Sequence, residues 1–525
     1  MSTIYSKLKN NYFIIVILCI YLIVGLILIN NYQYQFNSDG ISYISIAQKY
    51  IDGDFSNAIN GYWGPLLSWL LIPFLYFSTS PISSAYLVKL LLLITGFFTI
   101  IGVKLFISNF EIEKAIERSL VISLIPIILY FAFYITTPDL LGICLIIYYL
   151  YFIFNPKYSE SKFYPLMCGI TGALAFLTKS FALPFFLVHF ILFNTFFYFK
   201  SLNTQKRAKI LKNLSIGLIV FFAISGIWIG LISDKYNKIT FGTSGEYNHD
   251  LVGPKSQGHY EYYKGLVNQP NNSSFSPWED PSYFKMESWS PFQSLDYFMF
   301  QIDLILKNIV KIISIIELFS VLSIVIIIAA IVLIIKSRAD GDSKKKLIYL
   351  LTTILIYAGG YTPLILEERY LWLISILLLI TGCYVLSLLF KMNYINKFKK
   401  NILVIFLILS FIMTPFSVLV FDFNGEQSIY NLSLTLKNKY NVHGNIASND
   451  NLVDTDHIVF LMNSKYYGMP KKTNNYNEKK AELENYNIDY YLVWGKSKEN
   501  DYFSKYFKEI TNGTIKNLRI YSLKS

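Results

Sequence analysis

Charge is what this chain has least of. Only 15% of its 525 residues are Asp, Glu, Lys or Arg, against 54% hydrophobic residues, and so little charge cannot clothe several water-facing domains. Cysteine is scarce too: Cys19, Cys144, Cys168 and Cys383 all fall inside apolar runs, where they read as small packing side chains rather than disulfides or metal ligands. Signature motifs are also missing. There is no phosphate-binding loop, no nucleophile elbow and no dinucleotide fingerprint, which argues against a nucleotide-sugar donor read by a cytoplasmic Rossmann domain and against ATP-driven transport.

What the chain does have is apolar sequence in blocks of about 16 to 25 residues, long enough to cross roughly 30 Å of hydrocarbon. They lie near 12–30, 82–107, 119–136, 140–155, 164–178, 181–199, 214–232, 312–336, 347–364, 370–390 and 402–421, predicting about eleven transmembrane helices. The first block lacks a small-residue cleavage site and reads as a retained helix. A further block, 65–77, carries Pro65 and Pro73. Counting it as a span would turn the later basic loops outward, so it is expected to lie at the outer surface. The net charge of +12 does not imply a nucleic-acid partner. Lysines and arginines cluster between apolar blocks, as in Lys206-Arg207-Lys209-Lys212, Lys344-Lys345-Lys346 and Lys397-Lys399-Lys400, the habit of cytoplasmic loops.

The fold class expected is therefore an all-α polytopic membrane domain over 1–421, followed by a small extracytoplasmic α/β domain over 422–525. The tail has strand-like runs at Asn445–Ser448 and Ile488–Trp494 and a helix-like stretch at Glu478–Asn485. Its 441–449 segment lacks the glycine spacing of a nucleotide-binding turn, and the tail is taken as a substrate-selecting or stabilising module. With the amino terminus inside, the positive-inside bias puts one set of segments outside: the loop 31–80 with its surface helices, the 136–139 turn, Lys179, the long loop 233–303, the 367–369 turn and the tail. Every residue suited to chemistry then shares one side.

Four charged residues stand out. Asp39 follows the first helix, where it suits a proton acceptor at the membrane surface and equally a cap for the helix that follows. Asp139, in Thr136-Thr137-Pro138-Asp139, suits either a site acid or an ordinary helix start, since Pro fits the first turn and Asp favours its positive end. Lys179 closes one apolar block as the next begins, a costly place unless it snorkels or meets an anion such as a lipid phosphate. Arg369 opens a late helix within Glu367-Glu368-Arg369-Tyr370, able to grip a phosphate bidentately or to pair with Glu367 or Glu368. The long loop 233–303 exceeds an ordinary connection. It holds His249, His259, Trp278, Glu279, Asp280 and Trp289, a composition that suits sugar rings or an interfacial aromatic belt. Its two histidines lack metal-ligand spacing, so no metal site is expected.

The first outer loop reads Asp39-Gly40, then Tyr43, then Tyr62-Trp63-Gly64-Pro65-Leu66. This pattern, with the layout of roughly residues 1–420, resembles the GT-C membrane glycosyltransferases, a group that includes protein O-mannosyltransferases and lipid A aminoarabinose transferases. The resemblance implies a polyprenyl-phosphate-linked sugar donor, an acceptor that is protein, lipid or cell-surface glycan, and inverting transfer. It implies Asp39 as catalytic base, with Asp139 positioning the acceptor or supporting a cation, and Lys179 and Arg369 on the donor phosphate. Tyr43, Tyr62, Trp63, His249, His259, Trp278, Glu279, Asp280 and Tyr370 would contact substrate. No organic cofactor is implied. The metal-using oligosaccharyltransferases of the group leave a divalent cation as the alternative. A lipid-linked oligosaccharide flippase or polymerase is the rival reading, disfavoured because the helices look clean and the acids sit in outer loops.

Overall fold

The computed structural model describes residues 2–262, 264–284, 286–336, 339–473 and 475–524, with side chains from residue 12 onward. It is a helical membrane protein with a small carboxy-terminal sheet. Among the described residues, seven helices are long and apolar enough to cross a bilayer: Tyr12–Tyr32, Pro81–Phe110, Lys114–Phe133, Ala182–Lys200, Thr204–Lys235, Glu368–Lys391 and Lys397–Phe421.

The expected eleven spans are not met by that measure, for three physical reasons. Blocks 140–155 and 164–178 fold as the shorter apolar helices Asp139–Ile153 and Phe163–Thr178. The block 312–336 straddles a sharp break: Leu295–Phe319 and Ser323–Lys336 meet at 104° and count as an eighth span only if taken together. At the break the Ile316 carbonyl accepts both from the Ser320 amide at 3.0 Å and from the Ser323 hydroxyl at 2.7 Å, which ties the start of the second helix to the end of the first. The block 347–364 belongs to Gly341–Gly359, whose first turns carry Asp342 and three lysines. The proline-bearing 65–77 block forms Pro65–Leu75, 11 residues, or about 16 Å at 1.5 Å per residue, too short to span.

Buried aliphatic and aromatic side chains from these helices make one continuous core. The tail forms a five-stranded sheet of β1 (Asn445–Ser448), β2 (Lys465–Tyr466), β3 (Tyr490–Trp494), β4 (Lys508–Glu509) and β5 (Leu518–Ser522), in the order β2-β1-β3-β5-β4. The β1 strand is parallel to β2 and β3, whereas β5 is antiparallel to β3 and β4. Alternate residues face two separate apolar clusters: Ile446 and Leu492 on one side, Ala447 and Tyr491 on the other, as expected for a sheet covered on both faces. The tail is joined to the membrane domain by direct packing. Phe36 lies 4.9 Å from the ring of His457 and 5.6 Å from Phe460, and the Tyr466 amide donates to the Phe275 carbonyl at 3.1 Å.

Candidate active site

The first outer helix, Ser38–Ile51, is capped by Asn37, whose side chain accepts from the Gly40 amide at 3.4 Å. Capping therefore falls to Asn37, and the Asp39 carboxylate, in the first turn, is used elsewhere. Gly40 packs against Thr136 so closely that a Cβ would lie 2.8 Å from its side chain. The turn carrying Asp39 is thereby pressed onto the Thr136–Asp139 turn, 100 residues away in sequence. Gly64 likewise leaves no room for a side chain against the Leu177 and Thr178 carbonyls, which seats the Tyr62–Trp63 turn on the helix end that presents Lys179. Two glycines thus bring three loops to one point.

There the four charged residues meet. Arg369 Nη1 lies 2.8 Å from Asp39 Oδ2 and Arg369 Nε 3.9 Å from Asp139 Oδ2. Lys179 Nζ lies 2.8 Å from Asp139 Oδ1 and 3.6 Å from the centre of the Tyr370 ring. The Trp278 indole donates to Asp39 Oδ1 at 3.0 Å, and the Thr137 hydroxyl donates to Asp139 Oδ2 at 2.7 Å. Glu367 completes the group, its carboxylate 2.7 Å from Arg369 Nε. Asp139 is the first residue of its helix, so it holds the favourable terminal position and the ion pair together. Arg369 pairs with Glu367, as its sequence neighbourhood allowed, and with Asp39. Glu368 is used elsewhere, accepting from the Tyr130 hydroxyl at 2.8 Å. Burial depresses the Lys179 ammonium below the usual lysine range, and the Asp139 carboxylate opposes that shift.

These residues line a cavity of about 460 Å³, within the range of small-molecule sites. Tyr43, Tyr62, Trp63, His259, Trp278 and Tyr370 are on its wall. The aromatic rings pack edge to face, Tyr62 to Trp63 at 4.4 Å and Tyr62 to Trp278 at 5.9 Å between centroids. His259 lies 5.4 Å from Trp278, and burial lowers its tendency to take a proton.

Three residues expected to touch substrate do not line the cavity. Glu279 is buried and ion-paired with Lys49, and it accepts from Ser45 at 2.6 Å and Ser274 at 3.0 Å. Its backbone carbonyl accepts from Asn60 and from the Trp63 indole, at 2.7 and 3.1 Å. Asp280 accepts from the Tyr236 hydroxyl at 2.6 Å, and burial raises its carboxyl above the ordinary range. His249 stacks on Trp289 at 4.3 Å, and its Nε2 lies 3.1 Å from Gln301 Oε1. For Glu279 and Asp280 the cause is shared. A loop that must hold Trp278 rigidly over a cavity ties down its flanking acids, and a composition suited to sugars is equally suited to that tether.

Sequence reasoning missed the cavity's other wall. Leu452, Val453, Asp456, Tyr466 and Tyr467 come from the tail, and Glu261 and Tyr262 from the long loop. Nothing near Asp456 in the sequence marks it. Among the described residues, no group of three or more His, Cys, Asp or Glu side chains is arranged to hold a metal ion.

No protein-family model matches the chain, and no curated protein matches it. Solved structures of similar shape include the apo oligosaccharyltransferase of Archaeoglobus fulgidus, 13% identical, covering 92% of this chain and 70% of that one at a TM-score of 0.49. Another is apo ArnT of Cupriavidus metallidurans, 10% identical, covering 96% of this chain and 97% of that one at a TM-score of 0.47. ArnT has also been solved bound to undecaprenyl phosphate. At TM-scores below 0.5, these likenesses lend no weight to a functional reading, which has to stand on the site itself.

Proposed function

We propose that this chain is an integral membrane glycosyltransferase. It moves a sugar from a polyprenyl-phosphate donor to a protein, lipid or cell-surface glycan acceptor at the extracytoplasmic face, with inversion. The observation that carries this reading is the convergence of Asp39, Asp139, Lys179 and Arg369 on one aromatic-walled cavity at the ends of apolar helices. A lipid-linked donor needs a cationic grip at the membrane boundary, an apolar approach for its tail and a base for the acceptor proton. The cavity has a residue for each task.

In this reading Lys179 and Arg369 hold the leaving phosphate. A guanidinium has five N–H donors and an ammonium three, more than their close carboxylate contacts use, so both can take a phosphate oxygen without abandoning the acids. Asp39 accepts the acceptor's proton as its oxygen or nitrogen attacks the anomeric carbon, and the phosphate departs with the bonding electron pair from the opposite face. Arg369 and the Trp278 indole fix the carboxylate's orientation, so little reorganisation remains for the reaction itself. Tyr62, Trp63 and Trp278 offer ring faces to a sugar. Asp139 sets Lys179 in place. Orientation follows from the basic loops between apolar blocks, which assign the opposite face to the cytoplasm.

The test is transfer by the purified full-length chain from a synthetic polyprenyl-phosphate sugar, with the anomeric configuration of the product read by NMR. An inverted glycoside supports the reading. Release of neither phosphate nor glycoside across a panel of donor sugars and acceptors overturns it.

A further inference from the structure

The tail wall of the cavity holds charge that the proposed transfer does not use. Asp456 is 2% exposed, lies on the cavity wall and makes no close hydrogen bond at Oδ1 or Oδ2, with only weak support from the nearby Ser38 hydroxyl. Glu261 lies on the same wall, and its Oε2 is buried and equally without a partner. The two acids are close enough for Asp456 to raise Glu261 electrostatically.

Their surroundings compensate them only in part: the Ser38 hydroxyl and His457 favour the charged Asp456, but less than burial opposes it. Lys179 and Arg369 are engaged by Asp139, Asp39 and Glu367. His457, beside Asp456 in the chain, turns its Nδ1 to within 3.0 Å of Glu426. Asp39 adds a further negative charge near Asp456. Burial pushes the Asp456 carboxyl up to about 6 and the Glu261 carboxyl up to about 7, as desolvation does where no strong partner offsets it. Buried polar groups without partners cost stability, and two acids left so on a cavity wall are suited to something that enters the cavity.

We propose that Asp456 and Glu261 bind a primary ammonium group carried by a substrate, either on the sugar of the donor or on the acceptor. Three buried carboxylate oxygens lack a close partner, and an ammonium brings three N–H donors and positive charge. A hydroxyl brings one donor and no charge. Tyr262 and Tyr466 also line this corner, and phenol rings tolerate a cation well. The proposal rests on the glycosyltransferase reading for the identity of what enters, but its chemistry belongs to the tail and the long loop. It makes the carboxy-terminal domain part of the binding site.

The experiment measures dissociation constants of matched probes for the detergent-solubilised full chain at pH 8. In the donor arm, polyprenyl-phosphoglucosamine is compared with polyprenyl-phosphoglucose. In the acceptor arm, methyl glucosaminide is compared with methyl glucoside in the presence of polyprenyl phosphate. The expected result is at least a tenfold preference for the amine in one arm, which names the source, falling below twofold in Asp456→Asn. Glu261→Gln provides a second variant should the first fail to fold. No amine preference in either arm, or a preference that survives both substitutions, overturns the proposal. So does stabilisation by magnesium or calcium that depends on Asp456, which would make the corner a metal site. Bare polyprenyl phosphate is measured alongside as a reading of the Lys179 and Arg369 corner alone. Its failure to bind the wild-type chain would count against the transferase reading and leave the amine preference to be judged separately.

Discussion

The two acidic corners of the cavity make an instructive contrast. At one, Asp39 and Asp139 each have a cation within 2.8 Å and a neutral donor besides. At the other, Asp456 has no close ion pair or hydrogen bond among the described residues, only the weaker influence of Ser38 and His457. Both corners are built from carboxylates held away from water, yet one is electrostatically complete before any substrate arrives and the other is not. A paired acid keeps its charge and its direction, as a base must. An unpaired acid is a demand that a ligand can meet. Within one cavity, then, the pairing of the acids separates the part suited to reaction from the part suited to recognition.

That contrast can be broken most forcefully at its paired end. Asp39→Asn keeps the size and the Trp278 contact but removes the base, and transfer is expected to fall by roughly a thousandfold, in the range of lost general-base catalysis, with KM little altered. Steady-state kinetics on the synthetic donor checks this, and near-normal turnover would strip Asp39 of its role. Next in size is the tether behind Trp278. Lys49→Met leaves Glu279 buried without its counter-charge, which costs about 3 kcal/mol. A lowered thermal midpoint, together with lost donor affinity, is expected, and an unchanged midpoint would show that the loop is held by other contacts. Lys179→Met follows, with donor affinity weakened about 30-fold and kcat less affected. A kcat loss equal to that of Asp39→Asn would instead place Lys179 in the chemical step.

The smallest effect sharpens the unpaired end. The folded Asp456 carboxyl, at about 6, keeps its proton above the ordinary aspartate range. Its contribution to stability is therefore present below pH 4 and is lost as the pH rises through about 6. One such group changes stability by at most about 1.4 kcal/mol per pH unit. Thermal melts of the wild-type chain should decline from pH 4 to pH 7. Asp456→Asn should flatten the lower part of that decline, and the Glu261 step, centred nearer 7, should remain. Identical slopes in both proteins would mean that Asp456 is hydrated or paired in solution.

Much of this arrangement was legible before any coordinates. Long apolar blocks read as helices because no other structure satisfies backbone groups in lipid, and seven of them are such helices. Asp39, Asp139, Lys179 and Arg369 stood out for a related reason: charge beside hydrocarbon is expensive and asks for a partner. The block at 312–336 was misread because a break needs only a local change of direction at Ser320, which leaves the composition apolar throughout. That Glu279 and Asp280 lie off the cavity wall was not legible, because a carboxylate facing a lysine or a tyrosine hydroxyl and one facing a sugar look the same in a list of residues.

The one-dimensional chain determined on its own that this protein is helical, membrane-spanning and finished by a small α/β unit, since hydrophobic length and periodicity are local properties. Tertiary structure decided which acids have partners. Asp39 meets Arg369 across 330 residues, and Asp456 comes to the same cavity without an ion pair among the described residues. Pairing depends on how helices and loops pack in space, and the free energy of a buried charge depends on that pairing far more than on its neighbours along the chain.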